Sequence, residues 1–239
     1  MSRWTPYIGA VLGLMLGAGA VLWWSGGSGS DARGGEAIRA YLLDHPEVIQ
    51  EAMGRLQERE AGRQVAANRP AIETPVGSAW AGNPKGDVTV VEYYDYNCGY
   101  CRASLPTIRE LVAAEPRVRI VYRELPVLAQ SSLVAARASL LAARQGRFAR
   151  FHDALYAAGP VSDATIAAAE RTAGVDTARA ADAEPAADTE IRANLAMQQR
   201  LGIGGTPSWV IGDRVLTGAQ TLDQLRTAVA AARTGRTAT

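Results

Sequence analysis

The two cysteines of this 239-residue chain lie three positions apart, in Cys98-Gly99-Tyr100-Cys101. The run ahead of them, Val88 to Tyr94 (VTVVEYY), is β-branched and aromatic, the composition of a buried strand. The run behind, Arg102 to Ala114, carries Leu105, Ile108, Leu111 and Val112 at helical spacing. The pair is therefore expected at a strand-to-helix turn, with Cys98 near the helix N-terminus. Unpaired N–H groups and the helix dipole favour a thiolate there.

Two thiols so placed can close into a small disulfide and reopen. Cys98 is positioned to attack, and Cys101, one turn into the helix, to resolve a mixed disulfide. Two blander roles compete. A structural disulfide more often joins distant segments, because closing so short a loop removes little chain entropy. A zinc site wants four ligands, and the two histidines, His45 and His152, stand at unrelated spacings. Redox chemistry is the favoured reading, with no metal and no cofactor called for.

A net charge of +1 gives no reason to expect a nucleic-acid partner. The run Tyr7 to Trp24 (YIGAVLGLMLGAGAVLWW) has no charge and is about 18 residues long, the lower limit for a membrane span. Trp4, Tyr7 and Trp23-Trp24 resemble interfacial belts, and Arg3 favours an N-terminus inside. An uncleaved signal anchor in the inner membrane is expected. The alternative is a cleaved signal peptide, since Ala18-Gly19-Ala20 fits a small-x-small site. Both export the remainder to a compartment where disulfide chemistry is normal. Ser25 to Ser30 (SGGSGS) reads as a flexible linker, closing a segment 1–30.

A helical region is expected over 31–75, with a short helix at Glu36–Leu43 and a second from Pro46 to about Asn68. Ile49, Met53 and Leu56 follow a four-then-three seam spacing, too short to argue a coiled coil alone. The stretch is either packed on its own domain or an oligomerisation arm. His45 reads as a helix-start residue. Arg69 to Lys85 reads as a connector.

The main domain is expected over 76–235. After the motif helix, which Pro106 should kink rather than end, Val118–Arg123 alternates like a strand. A helical insertion at about 127–201 divides into Ser131–Gln145, Arg147–Ala158, Asp163–Ala173, Thr177–Ala183 and Thr189–Leu201. The breaks fall at Gly146, Gly159-Pro160, Gly174 and Pro185. His152, beside Phe148, Phe151 and Leu155, reads as a partly buried packing residue. Trp209–Ile211 and Val215–Thr217 form a hairpin, and Thr221-Leu222-Asp223-Gln224 opens the last helix as a capping box.

Strand, CxxC helix, strand, helical block, hairpin and final helix is the order of an α/β thioredoxin fold with a helical insertion. The first strand pair should be parallel and the last antiparallel. Val91 to Cys101 (VEYYDYNCGYC) closely resembles the active-site segment of DsbA-like thiol-disulfide oxidoreductases, nearest the subgroup containing ScsC and Com1-like proteins. Tyr41 to Val48 (YLLDHPEV) is similar to the N-terminal helical region of the ScsC type, and Gly204-Gly205-Thr206-Pro207 to the family's Thr–cis-Pro loop. The resemblance implies a Cys98–Cys101 disulfide in the oxidised form and protein thiols or disulfides as substrates. It implies a cis Pro207 facing the disulfide, and a Thr206 offering its backbone to a bound peptide. It makes Glu92 a buried acid that relays a proton to or from Cys101.

The Gly99-Tyr100 pair lacks the imidazole of the Pro-His pair in strongly oxidising DsbA types. The expectation is an isomerase or reductase kept reduced by a membrane partner, and a homo-oligomer. The alternatives are an oxidase of the DsbA type, a copper-handling protein with Cys98 and Cys101 as soft Cu(I) ligands, and a non-catalytic scaffold.

Overall fold

The computed structural model describes residues 34–237. The apolar run at 7–24 and the linker at 25–30 lie outside the described residues. Among the described residues no helix is long and apolar enough to cross a membrane. The chain divides into two compact units, one ending at Leu56 and one running from Gln57.

In the first unit a helix α1 covers residues 34–44, and α2 (Glu47–Glu73) begins three residues later. His45 sits in the break. Its ring packs on Tyr41 at 4.6 Å, and its Nδ1 lies 3.3 Å from Glu47. Ile38, Tyr41, Leu43, Ile49, Met53 and Leu56 are all exposed.

The second unit is built on a five-stranded sheet. Its strands are β1 (Trp80–Gly82), β2 (Val88–Tyr94), β3 (Val118–Glu124), β4 (Ser208–Ile211) and β5 (Arg214–Thr217), in the order β1-β3-β2-β4-β5. β2 and β3 pair in parallel, as their crossover through α3 (Gly99–Ala114) requires. β4 and β5 form the antiparallel hairpin, and β4 also pairs antiparallel with β2. Strand β1 was not expected within the connector. Its three residues are too few to carry a pattern, and it forms because backbone on the β3 edge offers pairing, Trp80 opposite Val121. It ends at Gly82, at φ +77°, where a Cβ would lie 2.6 Å from the Val118 carbonyl oxygen.

The insertion holds α4 (Gln130–Arg144), α5 (Phe148–Ala157), α6 (Asp163–Ala173), a 3-10 turn at Thr177–Arg179 and α7 (Ala180–Leu201). The expected break at Pro185 is absent, and α7 runs through it. Pro185 removes only a bond to Ala181, whose exposed position leaves that carbonyl to water. α2 likewise runs through Pro70, five residues beyond its expected end, because Ile72 is buried against the sheet. α3 continues through Pro106, and α8 (Leu222–Thr237) opens with the Thr221–Gln224 capping box.

Alternation along β2 and β3 sorts the two faces of the sheet. Val88, Val90, Tyr94, Val118, Ile120 and Tyr122 join the core that contains Cys98, Cys101 and the insertion. Val91, Tyr93 and Val121 join a second core with Val65 and Ile72 of α2 and with Met197 and Leu201 of α7.

Candidate active site

Cys98 closes the turn after β2, its N–H donating to the Asp95 carbonyl oxygen at 3.0 Å. It is also the N-cap of α3. Its Sγ accepts from the Cys101 N–H at 3.3 Å, and its carbonyl oxygen from the Arg102 N–H at 3.1 Å. A sulfur thus takes the capping position where Ser or Asp usually satisfies orphan amides. Both cysteines are buried thiols with no bond between them. Burial pushes the Cys101 thiol up, and the Glu92 carboxylate adds to it. The Tyr100 side chain is 71% exposed, and a Cβ at Gly99 would meet nothing within 4 Å. The intervening dipeptide therefore leaves the mouth of the site open.

Opposite the thiols stands the loop that enters β4. The Thr206–Pro207 peptide bond is cis, and the Cys98 thiol donates to the Thr206 carbonyl oxygen at 3.2 Å. Gly218 N–H binds the Pro207 carbonyl at 2.8 Å and Trp209 Nε1 binds the Gly218 carbonyl at 2.9 Å, so a buried indole steadies this loop. The Thr206 hydroxyl is buried without a hydrogen-bond partner.

Glu92 lies in β2, 2% exposed. Burial pushes its carboxyl up to about 8, with a smaller contribution from the charge of Cys98. The structure thus brings Cys98, Cys101, Thr206 and Pro207 together, with Glu92 buried beneath. Among the described residues no group of three or more His, Cys, Asp and Glu could hold a metal ion.

Other residues at the site were not singled out from sequence. Asp95 is 1% exposed. One carboxylate oxygen accepts from the Asn97 N–H at 2.8 Å. The other accepts from the Val127 and Leu128 N–H groups at 2.9 and 3.0 Å. Asn97 Nδ2 donates to Ser131 and Ser132. These bonds fasten the loop after β3 to the cysteine turn. An Asp two residues before an Asn, next to a strand end, is an Asx-turn signal that could have marked the first bond. The partners more than 30 positions away leave no local trace.

His152 is more deeply placed than expected, at 4% exposure. Its Nδ1 lies 3.0 Å from the Tyr96 hydroxyl, and its Nε2 has no partner. Burial holds it down at about 3, so the ring is neutral at ordinary pH. Glu124, the last residue of β3, is also buried, and burial pushes it up to about 8.

A family model of the DSBA-like thioredoxin domain matches residues 89–230, and one of the copper resistance protein ScsC N-terminal domain matches residues 35–62. A thioredoxin-like oxidoreductase from Silicibacter pomeroyi is 40% identical, with a TM-score of 0.66 over 70% of this chain and 98% of that one. A linker-deletion mutant of Proteus mirabilis ScsC is 26% identical, with a TM-score of 0.70 over 83% of this chain and 92% of that one. The curated Na(+)/H(+) antiporter NhaA 1 of Salinispora arenicola is 30% identical over 159 residues, 64% of this chain. The chain spans 24% of that antiporter's length.

Proposed function

The chain belongs to the DSBA-like thioredoxin domain family, the thiol-disulfide oxidoreductases of this fold, and from that premise we propose that it exchanges disulfides with exported protein substrates through Cys98 and Cys101, running as an isomerase or reductase. The observation that carries this reading is the Cys98 sulfur, set at the α3 N-cap and 3.2 Å from the Thr206 carbonyl oxygen beside the cis-proline. A peptide lying along Thr206 would bring its own sulfur to Cys98.

In the isomerase or reductase direction the Cys98 thiolate attacks a substrate disulfide. A Cys98–substrate bond forms, and the displaced substrate sulfur leaves as a thiolate. Formation of the mixed disulfide removes the Cys98 charge and loosens the hold of Glu92 on its proton; once ionised, Glu92 takes the proton of Cys101, which attacks Cys98. The Cys98–Cys101 disulfide forms, the second substrate sulfur is released, and two electrons have passed to the substrate. A membrane dithiol protein would return them. In isomerisation the released substrate thiolate instead attacks another substrate disulfide, the thiolate that this frees attacks the substrate sulfur of the Cys98–substrate bond, and Cys98 leaves as a thiolate.

The direction rests on the thiolate's neighbours. Gly99-Tyr100 brings no imidazole, and His152 is neutral and bonded to Tyr96. Nothing of the Pro-His type therefore favours the reduced form. A redox titration of the Cys98–Cys101 couple tests this. A potential well below about −120 mV, the strongly oxidising end of this chemistry, is expected, and a value at that end would overturn the direction. Loss of disulfide reduction and isomerisation in Cys98→Ser is expected, and retention would overturn the activity itself.

The exposed row of Ile49, Met53 and Leu56, at seam spacing, supports a second copy of the chain as the partner of the N-terminal helices. Export by the run at 7–24, as an anchor or as a cleaved signal, puts the thiols where such cycling is normal.

A further inference from the structure

The β2–β3 register puts a second buried carboxyl on the sheet face that carries Glu92. Glu92 pairs with Tyr122, and Tyr94 with Glu124. Side chains two apart on one strand share a face. Glu92 and Glu124 are therefore diagonal neighbours on the face toward Cys98 and Cys101, with Cα atoms about 8 Å apart by strand geometry. Each is at most 3% exposed.

Glu124 is the end of a hydrogen-bonded cluster. The Tyr94 hydroxyl bonds its carboxyl, and lies 3.4 Å from the Tyr96 hydroxyl and 3.3 Å from Ser139 Oγ. Tyr96 donates to Ser139 at 3.1 Å and meets His152 Nδ1 at 3.0 Å. The Tyr156 ring packs on Tyr96 and on His152, each at 4.9 Å between centroids, and its hydroxyl donates to the Asp95 carbonyl at 3.2 Å. The same Asp95 oxygen receives the Cys98 N–H.

We propose that Glu124 is a second proton-holding group of the thiol centre, coupled to Glu92 by like-charge repulsion across the β2–β3 pair, so that the two carboxyls titrate as one unit with the redox state. Glu124 acts on the thiols only through Glu92 and is a positioning residue. The inference rests on the thiol-disulfide reading above. Reduction by a protein dithiol breaks the Cys98–Cys101 bond and moves two electrons onto the sulfurs. Cys101 takes a proton, and an ionised Cys98 tightens the hold of Glu92 on its own. Two buried carboxylates this close resist ionising together.

Among the described residues, the groups facing Glu124 offer it no cation. From β2 and its turn come Tyr94, Glu92, Asp95 and Tyr96. Ser139 comes from α4 and the neutral His152 from α5. Burial pushes its proton affinity up, Ser139 and Tyr94 pull it down by hydrogen bonding, and Asp95 and Glu92 add smaller upward pushes. Burial, and after it Glu92, keep Tyr122 beside it protonated, with Asp153 of α5 and Arg109 of α3 acting on it in opposite senses.

The test is the reduction potential of the Cys98–Cys101 couple against pH. The potential falls more steeply where a carboxyl takes up a proton on reduction. That window runs from the pair's proton affinity in the oxidised form to its affinity in the reduced form. Glu124→Gln leaves one carboxyl and should lower the upper end of the window. Tyr94→Phe removes a bond that favours ionised Glu124 and should move the upper end the other way. An unchanged upper end in a folded variant of either kind would overturn the proposal. In the unmodified protein, redox-difference infrared spectra should show two protonated-carboxyl bands that respond to reduction, and a single band would also overturn it. A protein with no titrating couple at all would refute the thiol-disulfide reading instead.

Discussion

Glu92 and His152 are both buried neutral, and they bend the pH dependence of stability in opposite senses. Glu92 is raised from 4.5 to about 8, so between those values the native chain binds more protons than the unfolded one. Stability contributed there is present below 4.5 and is lost as pH rises toward 8. His152 is lowered from 6.5 to about 3, so the unfolded chain binds more protons in that range. Its stability is present above 6.5 and is lost as pH falls toward 3. For the reduced protein, Glu92→Gln should flatten the decline of stability between pH 5 and pH 9, by on the order of a few kcal/mol of unfolding free energy at the alkaline end, and the fall of Tm with it. His152→Gln should flatten the acid limb between pH 6.5 and pH 4. Parallel Tm profiles for either variant and the parent would refute that assignment. Cys101→Ser, lacking the resolving sulfur, should accumulate a mixed disulfide between Cys98 and substrate, visible on non-reducing gels and absent from Cys98→Ser. At this scale the sequence showed the thiols at once, because no other cysteines compete. Glu92, Thr206 and Pro207 were legible only by resemblance to a family. Glu124 and the full depth of His152 were not, because Tyr94, Tyr96 and Ser139 reach them across the fold.

Strands and helices were legible where their patterns were long. β2 and the hairpin stand within a residue of where periodicity puts them, α3 begins three residues ahead of its periodic run and ends with it, and α6 spans its expected residues. Prolines misled at Pro185 and Pro70, because helices tolerate a missing N–H where solvent or a buried flank compensates. The attachment of α2 to the sheet has no sequence pattern. Arg123, its side chain 5% exposed, sends Nε to the Ile72 carbonyl at 3.1 Å and a terminal nitrogen to the Thr74 carbonyl at 2.6 Å. It also bonds the Ala71 carbonyl and pairs with Glu190 of α7. One guanidinium thereby takes the Ala71 and Ile72 carbonyls of the last turn of α2, where a cation is favoured, and Arg119 takes that of Glu73. Arg123→Ala strands those carbonyls and the Glu190 carboxylate and should cost about 3–5 kcal/mol. Urea unfolding of the reduced protein measures it, and a loss under about 1 kcal/mol would show that the clasp contributes little.

For the whole molecule the testable quantity is the number of copies. Ile49, Met53 and Leu56 are each about half exposed, between 51% and 52%. Met53→Glu puts a charge in that row and should lower the mass of the full chain, measured by light scattering in detergent, with the thiol assays unaffected. An unchanged mass would remove this row from the interface. The architecture was legible at this scale from the order of elements alone, since a CxxC helix between two strands and a late hairpin admit few topologies. The two-sided use of β2 and β3 was not, because β2 reads as one β-branched and aromatic run, while β3 alternates as a strand with one face in solvent would, although both of its faces are largely buried. That arrangement has a consequence for descent. Residues of one parity on β2 and β3 answer to the thiols and those of the other parity to α2 and α7, so a lineage can replace what it carries behind the sheet while its chemistry is inherited intact.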